Sequence, residues 1–143
     1  MATSVFREHV ENAFCFLVAD YGFTIEPSSH PELSESVNSG ERLVFVSKNV
    51  RLEMSHSPRG EIALTVDENP PSYRFGFDLY LHAFYPEALR TLGSGIAYSN
   101  ESVRKQITNI AFLLQRYGRP IVNHDSEVFN RMRTYKWWEC RKP

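Results

Sequence analysis

The chain reads as an α+β domain: an antiparallel sheet of four or more strands with one face covered by N-terminal and C-terminal helices. Two observations predict it. Between Arg42 and Asp67 apolar and polar side chains alternate: Val50, Leu52 and Met54 with Arg51, Glu53 and Ser55, then Ile62, Leu64 and Val66 with Glu61, Ala63 and Thr65. This is the two-residue period of half-buried strands. On either side of that stretch apolar residues recur every three or four positions, the period of helices that bury one stripe.

The turns fix how the strands pair. With Lys48-Asn49 as a two-residue turn, Phe45 falls opposite Leu52 and Leu43 opposite Met54. With His56-Ser57-Pro58-Arg59-Gly60 as the next loop, Met54 is expected opposite Ile62 and Leu52 opposite Leu64. All three strands then turn their apolar residues to one face. The other face carries Arg51, Glu53, Glu61 and Thr65, relieved by Val44 and Val46, and suits a sheet that is wet on one side.

From Ser4 to Tyr21, Val5 or Phe6, Val10, Ala13 or Phe14, Leu17 and Tyr21 form an amphipathic helical stripe. Gly22 is its stop, and Phe23-Thr24-Ile25 is expected as a short strand. Glu26 to Gly40 is rich in proline, serine and glycine and reads as a long acidic loop, of a length associated with either mobility or binding. After the three strands, Glu68-Asn69-Pro70-Pro71-Ser72 ends regular structure.

Tyr73, Phe75 and Phe77 alternate as one more strand. Asp78 is expected to cap a helix through Leu79, Leu81 and Phe84, with a longer strand as the alternative. Pro86 can open a second short helix, Glu87 to Leu92. Phe75, Phe77, Tyr80, Phe84 and Tyr85 form a dense aromatic cluster at structural spacing, which points to core, with a ligand pocket as the alternative. Gly93-Ser94-Gly95 marks a turn, and Ser99 or Asn100 can cap a long helix whose stripe is Val103, Ile107, Ile110, Leu114 and Tyr117, with Ala111 and Leu113 beside it. Arg104, Lys105, Asn109, Gln115 and Arg116 occupy its other side. Gly118 and Pro120 end it. Asp125 or Ser126 is expected to cap a last helix with Val128, Phe129, Met132 and Tyr135 inward.

At 143 residues and 42% hydrophobic composition, residues 1–143 fit a single domain with a real core. The cysteines are Cys15 and Cys140. Cys15 lies in an apolar helical run and is expected as a small buried thiol, which suits a reducing compartment. No apolar run approaches the roughly 20 residues of a membrane span, and Arg7, Glu8, His9 and Glu11 replace the apolar centre of a signal peptide. The expectation is a cytoplasmic protein with no membrane contact.

A net charge of -1 conceals two opposed halves. Met1 to Glu87 holds 13 acidic against 6 basic residues, or -7, while Ala88 to Pro143 holds 4 acidic against 10 basic, or +6. Glu8, Glu11, Asp20, Glu26, Glu32, Glu35 and Glu41 follow one another with no lysine or arginine between Glu8 and Glu41. Such a run is either a solvated surface balanced within the fold or an acidic face for a basic partner.

Chemistry-bearing patterns are few. His9, His30, His56, His82 and His124 are scattered over different elements, without the His-x-x-x-His or Cys-x-x-Cys spacing of a metal site. His124-Asp125-Ser126 has the letters of a hydrolase triad, but adjacent side chains on a turn do not aim at one another, and capping explains them. Gly93-Ser94-Gly95 lacks the remainder of a phosphate loop. No catalytic, cofactor or metal residue is assigned. Arg131, Arg133, Lys136, Arg141 and Lys142 beside Trp137 and Trp138 fit a nucleic-acid surface, against which stands a pI of about 6.5.

Residues 14–23 read Phe-Cys-Phe-Leu-Val-Ala-Asp-Tyr-Gly-Phe, and the helix from Ile110 ends in Leu-Leu-Gln-Arg-Tyr-Gly before Asp125 and Val128-Phe129. This order resembles a group of small bacterial proteins that open with a helix ending in Tyr-Gly-Phe, run through an antiparallel sheet and close with a helix ending in Tyr-Gly. Some of these are similar to immunity proteins of polymorphic toxin systems. The resemblance implies a binding role and brings no catalytic residue. The leading expectation is a non-catalytic inhibitor that masks a protein partner such as a basic toxin domain, with Glu26, Glu32 and Glu35, and Asp20 nearby, steering the encounter. The alternatives are a small enzyme or ligand-binding protein using the aromatic cluster at residues 73–85, and a nucleic-acid accessory using the basic C-terminal half.

Overall fold

A computed structural model of the chain describes residues 5–26, 40–93 and 95–136. His30, Glu32, Glu35, Ser94, Trp137, Trp138 and Cys140 lie outside the described residues. The N-terminal stripe forms two helices rather than one: α1, Val5–Ala13, and α2, Cys15–Tyr21, meet at Phe14, whose backbone (φ -102°, ψ 14°) departs from helical values. Phe6, Val10, Phe14 and Leu17 stay buried through the break, so the apolar stripe survives it. Gly22 adopts the left-handed conformation (φ 72°), and the Phe23 amide donates to the Leu17 carbonyl at 3.0 Å, turning the chain directly into strand β1, Thr24–Ile25.

Cys15 is exposed. The expectation of a buried thiol is corrected by its angular position: within α2 about 100° per residue places Cys15 some 160° around from the buried Leu17, off the stripe despite its apolar neighbours Phe14 and Phe16.

The sheet continues with β2, Glu41–Val46, β3, Val50–His56, β4, Ile62–Glu68, and β5, Phe75–Gly76. The five strands lie in chain order and every neighbouring pair is antiparallel. Lys48-Asn49 is the turn expected, and Phe45 pairs with Leu52 and Leu43 with Met54. The next register differs. Met54 pairs with Leu64 and Leu52 with Val66, two residues from the expected partners. The loop is shorter than the expected His56–Gly60, because His56 pairs with Ile62 inside the ladder and the Ser57 amide donates to the Glu61 carbonyl at 2.9 Å. Gly60, at φ 86°, closes the turn with its amide on the Ser57 carbonyl at 2.9 Å. A shift of two residues preserves the face of every side chain, so the apolar pattern alone could not detect it.

One face of the sheet buries Leu43, Phe45, Leu52, Met54, Leu64 and Val66. Against it lie α1, α3 (Phe77–Phe84) and α5 (Asn100–Tyr117), with α1 also packed on α5. Each such aliphatic or aromatic side chain withdrawn from water contributes roughly 1.5–3 kcal/mol, which is what holds helices of this length in place. The other face is charged: Arg42 and Arg74 meet Glu53 at 3.5 and 3.2 Å, and Arg51 meets Glu26 at 2.9 Å.

Residues 77–84 are helical, which settles the helix-or-strand alternative. The helix opens from Gly76 in an extended conformation, and Asp78 stands in the first turn rather than at the cap. A single 3-10 turn, Pro86–Ala88, leads into α4, Leu89–Leu92. Ser99 caps α5, accepting from the Ser102 amide at 3.0 Å while the Ser102 hydroxyl receives the Ser99 amide at 3.1 Å. A short helix α6, Arg119–Val122, follows. Asp125 then caps α7, Ser126–Thr134, accepting from the Glu127 amide at 3.0 Å. The expected inward residues Phe129 and Met132 are buried there.

Candidate functional site

The edge of β4 is not evenly covered. At one end the chain returns beside it, with the Ile62 amide donating to the Gly95 carbonyl and the Ala97 amide to the Gly60 carbonyl, both at 2.7 Å. At the other end β5 pairs only with Thr65 and Val66. Ala63 and Leu64 lie in the interval between these two partners. There a cleft of about 390 Å³ opens, between the strand edge, α3, α4 and α5.

Its walls are Ile62, Leu64, Phe77, Leu89, Leu92 and Ile110, with Ala63, Gly93 and Gly95 giving room. The polar groups at the cleft are Glu61, Asp78 and Gln106. Gln106 is committed to the fold, its amide donating to the Leu92 carbonyl at 3.0 Å. Glu61 and Asp78 are exposed, and neither is held by a lysine or arginine among the described residues lining the cleft. The result is a recess with apolar side chains in its walls, nearly as much polar as apolar surface, and two exposed acidic residues in its lining.

Beside the cleft two large apolar side chains stand in solvent, Ile96 at 53% and Tyr98 at 73% exposure. Ile96 bridges Glu61 across the sheet edge. Tyr98 is fixed despite its exposure: its hydroxyl donates to the Arg59 carbonyl at 2.5 Å, and its ring covers Gly60 so closely that a Cβ there would lie 2.7 Å from it.

Of the acidic residues singled out in the sequence for steering, Asp20 and Glu26 lie within the described residues. Asp20 is exposed at the end of α2, whereas Glu26 is paired with Arg51. Phe75, Phe77 and Tyr80 of the aromatic cluster lie in the core, with Phe84 and Tyr85 half-buried against it. Phe77 and Tyr80 stack at 5.8 Å, Tyr80 meets Phe84 at 5.2 Å and Tyr85 meets Tyr117 at 4.8 Å. The Tyr80 hydroxyl donates to the Tyr117 carbonyl at 2.6 Å, and burial, the largest cause, pushes its phenol well above the ordinary value. Only Phe77 of this cluster reaches the cleft.

The histidines among the described residues are tied into the fold. His9 meets the Thr108 hydroxyl at 2.9 Å; His56 donates to the Ala97 carbonyl at 2.9 Å and stacks on Phe6; His82 bonds the Tyr135 hydroxyl. His124 donates to the Glu68 carboxylate at 2.8 Å, and Arg133 grips the same carboxylate. Among the described residues no group of three or more His, Cys, Asp or Glu is arranged to hold a metal ion. No described helix is long and apolar enough to cross a membrane.

The cleft left no local mark in the sequence, because its walls come from residues far apart in the chain. The available hint was the small residues Ala63, Gly93 and Gly95 near apolar strand and helix positions. Compared with family models, curated proteins and solved structures, the chain matches none.

Proposed function

We propose that this chain is a non-catalytic protein-binding domain, an immunity-like inhibitor that acts by masking the surface of a partner such as a basic toxin domain. The observation that carries it is the pair Ile96 and Tyr98, large apolar side chains held in solvent at 53% and 73% exposure on a segment bonded to the sheet edge. An aromatic side chain already fixed before binding loses little conformational freedom on contact, and such residues dominate the energetics of protein interfaces. Charge adds the approach. Asp20 faces solvent, and with Glu32 and Glu35 it supplies negative charge able to draw in a basic surface, while Glu26 has Arg51 to satisfy first.

Co-purification from the native host identifies the partner, and Tyr98→Ala with Ile96→Ser tests the surface. The pair of substitutions is expected to weaken the recovered complex by at least about tenfold, with loss appearing in the off-rate, beside a modest fall in thermal stability from the lost bond to the Arg59 carbonyl. A complex of unchanged affinity would move the interface elsewhere.

A second reading, a small-ligand protein, is favoured by the cleft of about 390 Å³, a size ordinary for small-molecule sites. Recovery of no protein partner would transfer weight to it.

A further inference from the structure

We propose that the cleft between β4, α3, α4 and α5 is a binding site for an alkyl-guanidinium or alkyl-ammonium group, carried either by a free amphipathic cation or by an arginine or lysine side chain. Its chemistry has two parts. The walls of the recess come from Leu64, Phe77, Leu89, Leu92 and Ile110, of which Leu89 and Leu92 are the half-buried ones, with nearly as much polar as apolar surface around them, and about 390 Å³ accommodates a hydrocarbon stem of several carbons. The exposed acids Glu61 and Asp78 also line the cleft, and among the described residues no lysine or arginine does. An anion is disfavoured there by charge, and a plain hydrocarbon leaves both carboxylates unanswered. A cation on an apolar stem satisfies both parts, burying the stem and keeping its head at the wet rim.

The surrounding architecture keeps the recess open. Gln106 is fixed in the cleft wall by its bond to the Leu92 carbonyl at 3.0 Å, and the strand edge at Ala63 and Leu64 lies between the β5 ladder and the returning chain at residues 95–97. The site stands independently of whether the chain masks a protein, because either source of the cation presents the same group.

The test titrates the full chain with n-butylguanidinium and, as a neutral isostere, n-butylurea, following the backbone amides of Ala63, Leu64, Asp78 and Gly95 by NMR. Butylguanidinium is expected to shift these amides saturably and to bind at least about fivefold more tightly than butylurea at low salt, with the ratio falling as salt is added. Glu61→Gln combined with Asp78→Asn, both at exposed positions, should bring the two affinities together while leaving the melting temperature nearly unchanged. A second arm compares acetyl-Ala-Arg-Ala-amide with its citrulline counterpart. Peptide binding tighter than the free cation assigns the site to a protein side chain, and the reverse order to a free small molecule. Equal binding of butylguanidinium and butylurea, shifts confined to other amides, or no saturable shift with either would overturn the proposal.

Discussion

Gly60 carries two constraints that reinforce each other. Its φ of 86° lies in the region that disfavours a side chain, and the Tyr98 ring occupies the place of a Cβ at 2.7 Å. Gly60→Ala is therefore expected to cost about 1–3 kcal/mol in denaturant unfolding. Tyr98→Ala in the same background should return the steric part but not the backbone part, and full additivity of the two changes would show that the ring does not press on the turn. Tyr80 offers a pH-linked test at the same scale. Its phenol is raised by burial, so the folded state retains a proton that the unfolded chain releases near pH 10. Stability contributed by the neutral phenol is present below that pH and falls as pH rises above it. Tyr80→Phe should lose the bond to the Tyr117 carbonyl at neutral pH yet show a shallower decline of stability above about pH 10; an unchanged alkaline slope would remove Tyr80 as its source.

At the scale of elements, the sheet has an apolar face and a charged one, and substitutions should separate them. Leu52→Asp or Leu64→Asp places an uncompensated charge among buried side chains and should unfold the protein, since that costs several kcal/mol. Glu61→Ala, at an exposed side chain with no salt bridge among the described residues, should change stability by roughly 0.5 kcal/mol or less, and a comparable loss from both would mean the sheet faces the other way. This two-faced sheet was legible because the alternation from Val50 to Val66 is a local property, and so was the Lys48-Asn49 register. The second hairpin was not. Whether His56 belongs to strand or loop is decided by the Ser57 hydroxyl accepting the Glu61 amide at 3.2 Å and by Gly60 closing the turn, and neither leaves a trace in hydrophobic spacing. The break at Phe14 was hidden for a similar reason, since Val10, Phe14 and Leu17 are buried on both sides of it.

For the molecule as a whole, the sequence's two oppositely charged halves become a set of internal pairings and a residue of free charge. Glu26 turns to Arg51, Glu53 to Arg42 and Arg74, and Glu68 to His124 and Arg133, and of these pairings the first two stay within the acidic half and leave its excess unchanged, while the third joins it to the basic half. Pairings of this kind arise between segments distant in the chain, which is why a count of charges along the sequence could mark the acidic region but not which members face outward. The cleft is a whole-molecule feature for the same reason: Glu61, Asp78 and Ile110 meet only when sheet and helices are assembled.

The claim that this chain masks a basic partner is tested most directly by the rate of association with the partner recovered from the native host, measured across a salt series. Reversing Asp20, Glu32 and Glu35 to lysine is predicted to slow association by at least about tenfold at low ionic strength, with the difference shrinking as salt screens the charges. An on-rate unchanged by the reversal at low salt would contradict electrostatic steering by these residues, and the absence of any protein partner would contradict the masking role itself.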